Sequence, residues 1–173
     1  MFEKFDLLKH FGVYGVAIDN EKLLVIEKNS GPYQNRYDLP GGSQEVGESM
    51  VDTLEREVLE ETGFTVLAST NNRLYSAWIY ENDRRVVGHH IFNLFDVKLN
   101  SVAKKLPQFV ADGKNDSDRA VWKSIKNLSV ENSSLLVLKV IAEINNYPHV
   151  DKAEIYRDWK VTYGSKNYPK PLV

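Results

Sequence analysis

Residues 56–64 read REVLEETGF. Taken as a helix, they place Glu57, Glu60 and Glu61 at i, i+3 and i+4, so that three carboxylates share one turn. Like charges at that spacing repel by roughly 0.2–0.5 kcal/mol per pair on an open helix surface, and Arg56 alone cannot neutralise all three. Upstream, Val51, Leu54 and Val58 recur at three- and four-residue steps, which predicts a helix from about Glu48 to Thr62 with Gly63 as its stop. Those apolar residues mark a stripe for burial, and the acids occupy a neighbouring arc of about 100°. An acidic stripe beside a buried one suits a hard divalent cation, which takes carboxylate oxygens, water and phosphate. The plainer reading of the same nine residues is a solvated helix face, with Arg56 and Glu60 as an i, i+4 pair.

Working outward, FGVYGVAI (11–18) and KLLVIE (22–27) predict two strands joined by a tight turn, and NSGPYQNRYDLPGG (29–42) predicts a loop. RLYSAWIY (73–80) and RVVGHHIFNLFDVKL (85–99) predict strands around an ENDR turn. A polar loop over 110–120 leads into a short strand, AVWKSI (120–125). A second helix starts at a Ser133 or Ser134 cap and carries Leu135, Leu138, Ile141 and Ile144. Strands interleaved with two helices predict an α/β or α+β layering with a helix on each face of a sheet. At 173 residues the chain fits one domain. We place that domain at 1–146, followed by an aromatic and proline-containing tail, 147–173, whose role is open.

Composition narrows the function. The formal charge of −2 argues against a dedicated nucleic-acid binder. The absence of cysteine excludes disulfides, thiolate catalysis and Cys-based zinc sites. The N-terminal MFEKFDLLKH lacks the apolar run of a signal peptide, and no window approaches the roughly 18 apolar residues of a membrane span. A cytoplasmic protein with neither nucleic acid nor membrane as a partner is expected.

The wider context of the opening stretch is GSQEVGESMVDTLEREVLEETGF, residues 42–64. Gly42 is followed after five residues by Glu48, after seven more by Arg56–Glu57, then by an apolar residue, Glu60–Glu61, Gly63 and the apolar Phe64. This fills every specified position of the Nudix box, GX5EX7REUXEEXGU with U apolar; with average residue frequencies a chance match is on the order of 10⁻⁷. The preceding LPGG (39–42) is similar to the family's usual approach to the box, and the resemblance extends over roughly residues 10–146. It implies an α/β fold, a Nudix-type α/β/α sandwich around a mixed sheet. It also implies Mg²⁺-dependent (or Mn²⁺-dependent) hydrolysis of a nucleoside diphosphate linked to another group. ADP-ribose, nucleotide sugars and nucleoside triphosphates are all open as the small-molecule substrate, and so is a homodimer.

The resemblance also assigns roles. Glu57 and Glu61 are expected as direct metal ligands, Glu60 as a further ligand or the holder of a metal-bound water, and the Gly41 carbonyl as an additional ligand. Glu48 either complements the helix start or reaches the metal through water, and Arg56 orients a carboxylate. For the general base Glu60 is the first candidate. Asp116, six residues before Trp122 in a loop ahead of a Trp-bearing strand, is the second, though DSD also suits an Asx-turn. Tyr33, Arg36 and Tyr37 precede the glycine pair, where a base or phosphate can be gripped, and Trp78 is a stacking candidate. His89 and His90 point to opposite faces of one strand, so they cannot easily share an ion; His90 is taken as a substrate-cleft residue. A complete box makes a non-hydrolytic sensor module the alternative rather than the first reading. An isoprenoid-diphosphate isomerase needs a cysteine that this chain lacks.

Overall fold

Strand β1 (Asp6–Val16) runs into β2 (Ile18–Asp19), which turns back into β3 (Lys22–Lys28). Asn20 and Glu21 make that turn with φ of 47° and 59°, the left-handed pair that suits a two-residue hairpin. A short loop leads to β4 (Tyr37–Asp38) and β5 (Gly41–Gly42). Helix α1 (Met50–Thr62), the long hairpin β6 (Val66–Glu81) and β7 (Val86–Leu99), strand β8 (Ser117–Ser124), helix α2 (Leu135–Ile144) and strand β9 (Glu154–Tyr156) complete the order. This computed structural model describes residues 5–100, 117–147, 153–157 and 159–161.

The first sheet has the order β5-β1-β7-β6-β9. Its β1–β7 and β6–β9 pairs are parallel, whereas β1–β5 and β6–β7 are antiparallel. The sheet is therefore mixed, as the sequence predicts. In the second sheet β3 pairs antiparallel with β2, β4 and β8. Alternation along the strands decides what each face meets. Val13 and Phe95 pack with Leu54 and Val58 of α1 on one face. Tyr14, Phe92, Leu94, Ala77 and Ile79 on the other face join Leu23, Val25 and the buried Leu135, Leu136, Val137 and Val140 of α2.

Two helix stripes differ from expectation. Val51 is 41% exposed, because α1 turns Thr53, Leu54, Val58, Glu61 and Thr62 inward instead. In α2 the most buried side chains are Leu135, Leu136, Val137 and Val140, while Ile144 at its end is exposed. Ser134 is the cap, accepting from the Val137 N–H. β1 begins five residues before the FGVYGVAI run and β6 seven before RLYSAWIY. Both extensions are polar-rich lengths that pair with β7, where the backbone ladder rather than apolar alternation specifies the strand.

Glu154–Tyr156 and Trp159 return to the body of the molecule. β9 adds alongside β6, and Trp159 is only 7% exposed. The Trp159 indole donates to the Pro32 carbonyl at 2.8 Å, and the Arg36 guanidinium stacks on its ring, 4.3 Å from the centroid.

Candidate active site

Local signals build α1. Ser49 accepts from the Asp52 N–H while the Asp52 carboxylate accepts from the Ser49 N–H, a reciprocal cap that satisfies two orphan donors. Gly63 ends the helix in the left-handed region at φ 72°, its N–H bonded to the Leu59 carbonyl.

The glycine pair of β5 lies against this helix. Gly41 has φ of 144°, and a Cβ there would stand 2.2 Å from the Val13 carbonyl oxygen, so only glycine fits. At Gly42 a Cβ would approach Glu57 Oε1 to 2.7 Å. Glu61, buried, accepts from the Gly41 N–H at 2.8 Å. Both acids thus meet the same two residues, Glu61 at the Gly41 N–H and Glu57 where a methyl group on Gly42 would stand.

Arg56 organises the remaining acids. Its Nε and Nη2 bind Glu48 in a fork at 2.6 and 3.0 Å, its Nη1 reaches Glu57 at 2.8 Å, and its contact with Glu60 is a longer 3.4 Å. Its Nη2 also donates to the Ser43 carbonyl. The Arg56–Glu60 pair expected from spacing is therefore the weakest of three. Glu48 precedes the helix cap and accepts from the Glu45 N–H and the Thr53 hydroxyl, both at 2.9 Å. It ties the 43–48 loop to the helix. The Arg56 hydrogen bond, with help from Glu45 and Thr53, holds the Glu48 carboxyl down at about 2. Burial pushes the Glu57 carboxyl up, against the lowering pull of Arg56 and of the more distant Lys28.

Among the described residues no three His, Asp or Glu side chains are gathered closely enough to hold a metal ion. Arg56 supplies the positive charge between Glu48 and Glu57, and Glu61 takes its hydrogen bond from Gly41. The donors are nonetheless all oxygens, two of them on acids facing a side-chain-free backbone turn. That set suits Mg²⁺ or Mn²⁺ and does not suit a soft metal.

Beyond the acids, the first sheet and the 29–38 loop enclose a cavity of about 340 Å³. Leu8, His10, Tyr33, Ile79 and His90 are among the residues that line it. His90 is buried with both ring nitrogens engaged: Nε2 with the Tyr14 hydroxyl at 3.2 Å and Nδ1 with the Tyr33 hydroxyl at 2.9 Å. Arg36 is turned away, donating to the Val130, Ser133 and Lys160 carbonyls. Tyr37 is buried in β4 opposite Glu27. Trp78 stacks on His89 at 4.0 Å, a pair that lies on alternate positions from Ile79 and His90. Of the aromatic and basic candidates, Tyr33 and His90 line the cavity, whereas Arg36, Tyr37 and Trp78 do not. Asp116 lies outside the described residues. His10, Tyr14, Lys28 and Asp38, which also line the cavity, carry no local sequence signal. A parallel partner for the His89–His90 strand would have pointed to His10.

Comparison with known proteins bears on the family and the fold. A family model described as the NUDIX domain matches residues 8–133. An ADP-ribose pyrophosphatase of Methanocaldococcus jannaschii is 32% identical over 95 residues, a match spanning about half of each chain, 54% of both. The MutT NUDIX hydrolase structure from Burkholderia pseudomallei superposes with a TM-score of 0.58 at 16% identity, covering 79% of this chain and 98% of that one. The NUDIX domain of Shewanella oneidensis NrtR, solved with ADP ribose, gives 0.52 at 14% identity, covering 80% and 87%. These likenesses share the fold. With the family model matching well over half of the chain and every box position filled, this protein belongs to the NUDIX family.

Proposed function

We propose that this protein is a divalent-metal-dependent hydrolase of the diphosphate linkage in a nucleoside diphosphate derivative, of which ADP-ribose is the first candidate. The observation that carries this reading is the convergence of Glu57 and Glu61 on the Gly41–Gly42 turn. The similarity to an ADP-ribose pyrophosphatase supports the choice of candidate.

Glu57, Glu61 and the Gly41 carbonyl would hold Mg²⁺ or Mn²⁺, with Glu60 and Glu48 at the margin. When bound, such an ion neutralises phosphate charge and acts as a Lewis acid toward the phosphoryl oxygens. The chain itself supplies the rest. Arg56 fixes the Glu48 and Glu57 carboxylates, so that little reorganisation accompanies catalysis. Glu60 has the most exposed carboxylate of the three, with a side chain 53% accessible and only the long Arg56 contact. One of its oxygens is the acceptor we assign to the proton of the attacking water. Lys28, whose charge reaches Glu57 and which lines the cavity, faces the phosphate end of a substrate seated there.

Glu57→Gln and Glu61→Gln test the assignment against a panel of diphosphate compounds with Mg²⁺ and Mn²⁺, products being identified by mass. Each variant is expected to lose roughly 10²–10³-fold in metal-dependent kcat/KM, the several kcal/mol that an electrostatic clamp supplies, with its circular dichroism unchanged. Wild-type rates in both would refute the reading.

A further inference from the structure

Glu81, the last residue of β6, is only 6% exposed. Strand alternation puts its side chain on the same sheet face as Ala77 and Ile79, and it lines the cavity with Ile79. Its Oε2 accepts from Arg84 Nη1 at 3.1 Å, and that guanidinium is half exposed. Its Oε1 takes no hydrogen bond among the described residues and is not sealed from solvent. A carboxylate oxygen with so little water around it gains most from a donor that a ligand brings. Two other polar residues of the lining are already engaged. His90 meets the Tyr14 and Tyr33 hydroxyls through its two ring nitrogens, and Asp38 Oδ1 accepts from the Leu39 N–H and the Ser134 hydroxyl.

Strand register puts Glu81 at the end of the cavity away from the acids. Tyr14 pairs with Gly41 on one side and Leu94 on the other, whereas Glu81 pairs with Val86, itself opposite Asp6. Lys28, whose charge reaches Glu57, also lines the cavity. A substrate whose phosphates lie by Lys28 and the glycine turn therefore directs its nucleoside toward Glu81. The lining on the way is aliphatic and aromatic: Leu8, Tyr33, Ile79, Val86 and His90. Burial above all, with His10, Lys28 and His89, holds the His90 imidazole down at about 3, so this ring is neutral at ordinary pH. Such walls suit a flat, uncharged ring.

We propose that Glu81 is a specificity-determining residue whose Oε1 accepts a hydrogen bond from an N–H or O–H donor on the nucleoside in the cavity. The flat lining assigns that donor first to the exocyclic amine of an amino-bearing base such as adenine, and a ribose hydroxyl shares the same chemistry. This inference deepens the proposed function and rests on it only for where the phosphates lie.

NMR titration of the ¹⁵N-labelled full-length protein with four nucleosides tests it without metal or turnover. Adenosine is expected to bind about ten- to hundredfold more tightly than purine riboside, which lacks only the amine, the worth of a hydrogen bond to a charged group. In Glu81→Leu the two should bind within about twofold of each other. Glu81→Gln, which keeps an acceptor without the charge, should retain a smaller preference. If the loss falls instead on 2′-deoxyadenosine or 3′-deoxyadenosine and disappears in Glu81→Leu, Glu81 is still the acceptor and the ribose is the donor. The proposal is overturned if the wild type binds all four alike or binds none, or if the preference survives Glu81→Leu undiminished. The wild-type comparison stands even where a variant fails to fold. Nucleoside discrimination without hydrolysis of any diphosphate compound would defeat the proposed activity and leave this assignment intact; hydrolysis without discrimination would do the reverse.

Discussion

The acidic helix and the histidine cavity are neighbours built by opposite means. In the first, Glu48, Arg56, Glu57 and Glu61 come from fourteen consecutive residues, and a cap at Ser49 and a stop at Gly63 orient them. In the second, His10, Tyr33 and His90 come from β1, the 29–38 loop and β7, and they meet only because β1 and β7 pair in parallel with His10 opposite His90. The helix carries charges held by other charges at close range. The cavity's His90, Tyr14 and Tyr33 are held by burial and hydrogen bonds. Local geometry thus suffices for the acidic helix, whereas the cavity depends on long-range register.

That contrast can be broken from the cavity side first. Trp159 fixes the loop carrying Tyr33, through the Pro32 carbonyl, the Arg36 guanidinium and an edge contact with Tyr33 itself. Trp159→Ala is expected to cost about 3 kcal/mol in urea unfolding, the scale of a buried tryptophan truncation. It should raise KM more than it lowers kcat, because the acids of α1 lie elsewhere. An equal fall in kcat would mean that the two regions are not separable.

Gly41→Ala acts on the other region. The left-handed backbone and the 2.2 Å approach to Val13 predict a loss of roughly 1–3 kcal/mol in chemical unfolding. Activity should fall further than stability, since the same turn receives Glu61. Retained activity would argue that the turn tolerates displacement.

The smallest effect sharpens the charge half of the comparison. Glu48 is lowered from 4.5 to about 2 in the folded state by its Arg56, Glu45 and Thr53 partners. A depressed acid contributes stability that is present above its unfolded pKa and is lost as pH falls through its folded one. The stability gap between wild type and Glu48→Gln is therefore expected to close between about pH 4.5 and pH 2, as followed by unfolding across that window. A gap independent of pH would assign Glu48 a purely steric role.

Particular residues show why the sequence revealed one region and hid the other. The box was legible because a helix converts spacing directly into a shared face. Even there, Val51 came out exposed and Arg56 preferred Glu48 to Glu60, since the 43–49 loop folds back onto the helix and no helical period describes a loop. Arg36 resembled a phosphate grip but is spent on three carbonyls and an indole. One of those carbonyls, Lys160, and the indole belong to residues more than 120 positions away.

By itself the sequence determined the family, the acidic helix with its Gly63 stop, and the oxygen-rich chemistry of its acids, because spacing within a few residues along one helix carries all of these. Tertiary structure alone decided that His10, Tyr14, His90 and Tyr33 are joined by hydrogen bonds, and that Trp159 packs edge-on against Tyr33. The physical reason is strand register: pairing sets which distant side chains share a face, and a shift of one residue would have turned His90 away.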